Sequence, residues 1–245
     1  MEISDIFKDA LKFPASNWKR FFILGIITLT GSLFAVSNVY FRSNPYTILM
    51  ILPAYLLIFL EMGYTLRTIK VSINEEDELP AFNKWIRMFI DGLKVFLISL
   101  IYYIIPTLFL IAGMILAIDF SAITTGKIHY NFLNPLALIF LSIGSLLYVL
   151  LTFFFQIGLA NMAYKEKLEA ALSFGEIKRI IRDIGWKKYL VVFIILLIIS
   201  GASSVFGYFL NQMPIYWLIV FSILISPYLA LIRSRALGLV YKEAL

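Results

Sequence analysis

The chain has 245 residues, of which 61% are hydrophobic and only 15% charged, with a net charge of +6. A soluble domain carries about a quarter charged residues and under half apolar ones, so a water-soluble fold of this size is excluded. Cysteine is absent, which rules out disulfides and thiolate metal sites. The cations are spread over four segments, so no nucleic-acid partner is expected.

The opening, Met1-Glu2-Ile3-Ser4-Asp5, is acidic and amphipathic rather than basic and then apolar. No cleavable leader is expected, and the first span is expected to act as an uncleaved anchor. Ile3, Ile6, Phe7, Ala10 and Leu11 then recur at helical spacing, opposite Ser4, Asp5, Lys8, Asp9 and Lys12. After the step Trp18-Lys19-Arg20 come apolar runs near 21–40 and 46–65. Residues 74–78 form an acidic loop without calcium-loop spacing. A second stripe, Phe82, Trp85, Ile86, Phe89, Ile90 and Leu93, precedes runs near 94–118 and 133–160. A third, Phe174, Ile177, Ile180, Ile181 and Ile184, opens on Ser173-Phe174-Gly175-Glu176, which reads as a capping box. Trp186-Lys187-Lys188 follows, with the last two runs near 189–210 and 214–235 around the turn Asn211-Gln212-Met213-Pro214.

Each run reaches the roughly 20 residues that a helix needs to cross a bilayer. The runs are apolar on every side, whereas barrel strands alternate over about 10 positions. The expected fold is therefore all-α and polytopic, with six transmembrane helices in a single membrane domain, 1–245. Nineteen of the 21 Lys and Arg fall on one side of this arrangement, and the other side holds Arg42 and Lys127. Positive residues stay in the cytoplasm, so both termini are expected there, in the cell membrane.

An amphipathic helix introduces each pair of spans, which predicts three like-oriented repeats near 1–72, 78–168 and 169–245, related by a pseudo-threefold axis along the membrane normal. Glu61-Met62-Gly63-Tyr64 and Gln156-Ile157-Gly158-Leu159 close the first two pairs alike, and Pro53 and Pro227 sit at similar depths. The amphipathic helices have two readings. They lie in the cytoplasmic interface with their cations on anionic headgroups, or they pack on the spans and brace them, and the two are not exclusive. Trp18, Lys19, Arg20, Trp85, Trp186, Lys187 and Lys188 are the candidate lipid-facing anchors.

Glu61 is the one acid inside an apolar run, and Arg233 and Arg235 lie at matching depth in the sixth span. A charge at that depth points to an intramembrane pair unless the long side chains reach headgroup water. Gln156 and Asn161 are expected to bond to neighbouring helices, and Thr28, Thr30, Gly31 and Ser32 with the small residues 200–204 to pack or to line a cavity. His129 is the only histidine, so sites built on paired His are impossible. No phosphate loop or nucleophile elbow occurs, and no catalytic residue, cofactor or metal site is expected.

Two stretches are distinctive as they stand: Gly63-Tyr64-Thr65-Leu66-Arg67 through Glu76-Asp77-Glu78-Leu79-Pro80-Ala81-Phe82 to Phe89-Ile90-Asp91-Gly92-Leu93-Lys94, and Ala10-Leu11-Lys12-Phe13-Pro14 with Asn17-Trp18-Lys19. Together they resemble an archaeal membrane-protein family, domain of unknown function 4013, over most of the chain and most densely over 60–106. The resemblance implies a prokaryotic plasma-membrane protein and brings no activity or ligand with it. Mitochondrial carriers share a three-by-two layout but place the amphipathic helix inside each pair and carry a Pro-x-acid-x-x-basic signature that is missing here.

Three functions are compatible with this pattern. The first is a non-enzymatic protein that organises the membrane or binds lipid. The second is a small-solute transporter or channel along the pseudo-threefold axis. The third is an intramembrane enzyme, for which Glu61, Gln156 and Asn161 offer little.

Overall fold

The computed structural model describes residues 1–40, 47–119, 129–210 and 213–245. Arg42, Lys127 and the turn residues Asn211 and Gln212 lie outside the described residues. The described residues are all-α apart from one two-residue strand pair. In order come α1 (Ile3–Lys12), a 3-10 turn (Phe13–Ser16), α2 (Trp18–Tyr40), α3 (Thr47–Ile73) and α4 (Trp85–Leu116). The strands β1 (Ile118–Asp119) and β2 (His129–Tyr130) precede α5 (Pro135–Lys165) and a 3-10 turn (Leu168–Leu172). Then follow α6 (Phe174–Ile184), α7 (Trp186–Leu210), α8 (Ile215–Val220), a π turn (Phe221–Ile225) and α9 (Ser226–Lys242). Among the described residues, four helical stretches are long and apolar enough to cross a membrane: Trp85–Leu116, Pro135–Lys165, Trp186–Phe209 and Tyr216–Lys242. Much of their surface is left bare by the protein, as at Leu146, 71% exposed. In a soluble protein so much apolar surface would mark an aggregation liability; hydrocarbon covers it without cost.

Residues 1–96 and 157–245 form one compact unit. Its core gathers Phe13, Phe21, Leu24, Tyr64, Leu79, Met88 and Leu231. Helices are brought close wherever a glycine removes the side chain between them. A Cβ on Gly63 would lie 1.8 Å from the Met88 carbonyl oxygen, and one on Gly92 1.8 Å from that of Phe59. Gly25 likewise meets the Ile223 carbonyl in the π turn, and Gly238 meets Ser72 and the Ile69 carbonyl. Small residues at crossings let backbones approach where the hydrophobic effect no longer drives association. The hydroxyls of Thr28, Thr30, Ser32, Ser200, Ser203 and Ser204 donate to the carbonyls four residues back, so they are satisfied within their own helices.

Residues 97–156 form the second unit, a hairpin of the remaining parts of α4 and α5. Its turn pairs Ile118 with Tyr130 and Asp119 with His129, antiparallel. Asn134 caps α5 by accepting from the Leu136 N–H at 3.0 Å, with Pro135 at the first helical position. Gly113 lies against Leu141 and Gly144 against Leu110. Tyr103 stacks on Tyr148 and shares a 3.2 Å hydrogen bond with Thr152.

The structure alters three expectations about the amphipathic segments. The second is not a separate helix. It is the first part of α4, continuous for 32 residues and about 48 Å at 1.5 Å per residue. Phe82 precedes that helix, and Ile86 (79% exposed), Ile90 and Leu93 face away from the protein. Met88, Gly92 and Val95 face inward, because the Gly63–Gly92 crossing fixes which side of α4 meets α3. The first and third segments are true helices, α1 and α6, but protein covers much of their apolar faces. Ile6 and Ala10 are fully buried, as are Ile177 and Ile181. Those buried residues brace the bundle, while Leu11 and Phe174 on the same faces stay exposed. The expected capping box is also unmade: Ser173 Oγ donates to the Glu169 carbonyl, and Glu176 turns to Lys165 and Asn161.

Substituting Gly63 or Gly92 by Ala forces α3 and α4 apart. Overpacking costs about 1–3 kcal/mol, or roughly 2–10 °C in Tm, measured by thermal unfolding in detergent. Gly201→Ala, with nothing within 4 Å of the new methyl, leaves Tm unchanged or slightly raised.

Candidate functional site

The connection from α3 to α4 organises the polar end of the first unit. α3 closes with the Glu75 N–H on the Ser72 carbonyl and the Glu76 N–H on the Val71 carbonyl, with Glu75 at φ 55°. That is a Schellman ending with a glutamate at a position that usually takes glycine. The loop beyond it has few backbone partners, and side chains supply them. The Glu76 carbonyl accepts from Arg235 at 2.6 Å, that of Leu79 from Arg20, and that of Pro80 from the Tyr64 hydroxyl at 3.0 Å. Arg67 donates to the Asn83 and Lys84 carbonyls at 2.7 and 3.1 Å. Tyr64 also stacks flat on Phe82, with centroids 4.2 Å apart. Lys84 follows with φ 49° and starts α4 by accepting from the Met88 N–H.

This pinned loop walls a cleft of about 370 Å³ between the ends of α3, α4 and α5. Five cations line it, Arg67, Lys70, Lys84, Arg87 and Lys94, against three carboxylates, Glu76, Asp91 and Glu166. Glu166 comes from just past α5 at φ 57° and spans two helices. One oxygen takes Lys70 and the other accepts from Arg87 at 3.0 Å. The Lys70 ammonium bonded to it, with Arg87 beside it, holds the Glu166 carboxyl below the ordinary carboxylate range. These side chains are half exposed, so each pair contributes only about 0.2–1 kcal/mol. Glu75, Lys84 and Glu166 are the non-glycine residues with positive φ among those described. Two line the cleft and the third adjoins Glu76 on its wall. Backbone strain gathers at binding sites and switch regions.

The predicted residues are distributed differently. Arg235 does not reach Glu61. It is 2% exposed and donates to both Asp9 oxygens, at 2.6 and 3.3 Å, as well as to the Glu76 carbonyl. Its guanidinium also stacks over Phe13, 4.5 Å from the ring centre. Arg233 is the cation whose field reaches Glu61, and it donates to Ser200 Oγ at 3.0 Å. Trp18, Trp85, Trp186, Lys19 and Lys187 are exposed. Arg20 and Lys188 are engaged by protein groups. Arg20 binds Glu78 and the Leu79 carbonyl, and Lys188 binds Glu243 at 2.6 Å. Asn161 bonds the Ala170 carbonyl, Glu176 and the Tyr241 hydroxyl. Among the described residues no three His, Cys, Asp or Glu side chains gather to hold a metal ion.

Sequence reasoning missed the cleft. Its cations were legible only as a topology count, and nothing local says that Glu166 meets Lys70, 96 residues away.

Arg235→Met removes the clamp between α1, the loop and α9, and lowers stability by about 2 kcal/mol, read as Tm and as faster proteolysis within residues 1–16. Asp9→Asn costs more, because it strips the counter-charge from a buried cation. Acid has a defined effect as well. Glu166, Glu176 (held by Lys165) and Glu243 (where burial pushes upward but Lys188 and the Met1 amino group together outweigh it) all lie below the ordinary carboxylate range. Groups depressed on folding stabilise above the unfolded value, about 4.3, and lose that contribution as pH falls through the folded one. Tm is therefore flat from about pH 7 to 5.5 and falls below about pH 4. Glu176→Gln flattens that acid limb.

No solved structure matches the chain. An uncharacterised protein of Methanocaldococcus jannaschii is 26% identical to it over 88% of this chain and 79% of its own length. The model of a family described as a protein of unknown function, domain of unknown function 4013, matches residues 46–212. That match covers well over half the chain, and the chain belongs to this family.

Proposed function

We propose that the chain is a non-enzymatic, six-span protein of a prokaryotic plasma membrane, archaeal by resemblance, that holds anionic lipid headgroups at its cytoplasmic face. The observation that supports this best is the cleft: five cations against three carboxylates in about 370 Å³, on the side where nineteen of 21 Lys and Arg fall. Each cation near an acidic membrane surface contributes about 1 kcal/mol. Helices α2 and α3 occupy the two remaining predicted spans, which supports the count of six. With much of the α1 and α6 faces buried, the exposed Trp residues and the cleft are the main lipid-contacting parts.

Reconstitution tests the reading. A headgroup bound to the folded state raises Tm by mass action. Nanodiscs containing phosphatidylglycerol raise Tm by several degrees over nanodiscs of neutral lipid, and Lys70→Gln combined with Arg87→Gln removes the gain. Equal Tm in both lipids overturns it. The absence of cysteine makes topology separately measurable. In intact cells an impermeant maleimide labels Lys127→Cys and leaves Glu75→Cys unlabelled until the membrane is opened. Labelling of both from outside contradicts the orientation.

A further inference from the structure

Glu166 sits where a ligand anion would sit in the cleft. Its two oxygens are divided between cations of two helices, Lys70 of α3 and Arg87 of α4. The residue follows the last turn of α5 on left-handed backbone, with its N–H closing on the Met162 carbonyl at 2.9 Å. A bulky acidic side chain is thus delivered into a cation pair at a position where glycine would be relaxed. All three side chains are half exposed, so the carboxylate can leave toward solvent without opening the fold. Arg67 keeps its own bonds to the loop carbonyls, and the wall stays in place.

We infer that the cleft is a phosphate site, for an oxyanion on a lipid headgroup or in solution, and that Glu166 is its resident competitor. The inference rests on the reading of the cleft as a headgroup site and adds the ligand chemistry and its control. A guanidinium fork and an ammonium on one carboxylate form the set that recognises phosphate oxygens. A dianion gains more from two cations than a monoanionic carboxylate does. With Glu166 displaced, Lys70, Lys84, Arg87 and Lys94 face Glu76 and Asp91 alone. The volume suits a small phosphorylated group and lies near the lower end of ligand pockets.

The test uses the full chain in nanodiscs of neutral lipid, with inorganic phosphate titrated by calorimetry. In parallel, nanodiscs doped with phosphatidic acid are read by native mass spectrometry. Glu166→Gln is expected to bind at least one probe about tenfold more tightly than the unchanged chain. Glu166→Gly is expected to match it while relieving the backbone, which guards against a folding defect in the first variant. Adding Lys70→Gln and Arg87→Gln abolishes the gain. A gain with phosphatidic acid only assigns a lipid headgroup, and a gain with free phosphate assigns a soluble source. Either supports the inference. Unchanged affinity in both Glu166 variants, with binding still dependent on Lys70 and Arg87, overturns the competitor role and leaves the headgroup reading standing. Absence of binding by every form overturns both.

Discussion

The structure depends on how a stretch of irregular backbone is satisfied. The loop between α3 and α4 forms no sheet or helix of its own; its carbonyls at Leu79 and Pro80 lie in buried residues and need partners, since a buried polar group without one is costly. Five of the loop carbonyls are met by side chains: Arg235 from α9, Arg20 from α2, and Tyr64 and Arg67 from α3. Three helices therefore hold the loop, and the loop in turn holds the helices in register. Arginine suits this task because its donors form a rigid fork and its charge persists at any physiological pH.

Arg235 shows the cost and the benefit together. A buried guanidinium destabilises unless its donors are used, and here Asp9 and the Glu76 carbonyl use them while Phe13 covers a face. The same contacts draw α1 onto α9 and seat the acidic segment next to the cationic end of α3. The charges that sequence counting assigns to the cytoplasm are thus not a loose fringe. Many are committed to structure, as with Arg20 on Glu78, Lys242 on Glu75 and Lys188 on Glu243. The cleft stands apart because its cations outnumber its carboxylates.

Much of the helical plan is legible in the sequence. Spans follow from length and hydropathy, and α1 and α6 follow from periodicity. Periodicity does not say what meets an apolar face, which is why the stripe of 82–93 reads like the other two although Trp85, Ile86, Ile90 and Leu93 face outward from a continuous α4 while Phe82 stacks on Tyr64. The clue to its true inner side is Gly92, which pattern reading passes over because glycine has no hydropathy to speak of. The capping box at Ser173 failed for a different reason. Glu176 has stronger partners in Lys165 and Asn161 than the backbone N–H that a box would offer it. The Arg235–Asp9 pair joins residues 226 apart, beyond anything a local pattern encodes. Depth alone offers Glu61 both Arg233 and Arg235 as partners, and it cannot say that Arg235 is committed to Asp9.

The most direct measurement is a cryo-electron microscopy map of the chain in a nanodisc containing phosphatidic acid. The account predicts phosphate-sized density bridging Lys70 and Arg87, Glu166 turned out to solvent, and the loop ordered on Arg67 and Arg235. A vacant cleft with Glu166 still seated, or a loop parted from those arginines, would contradict it.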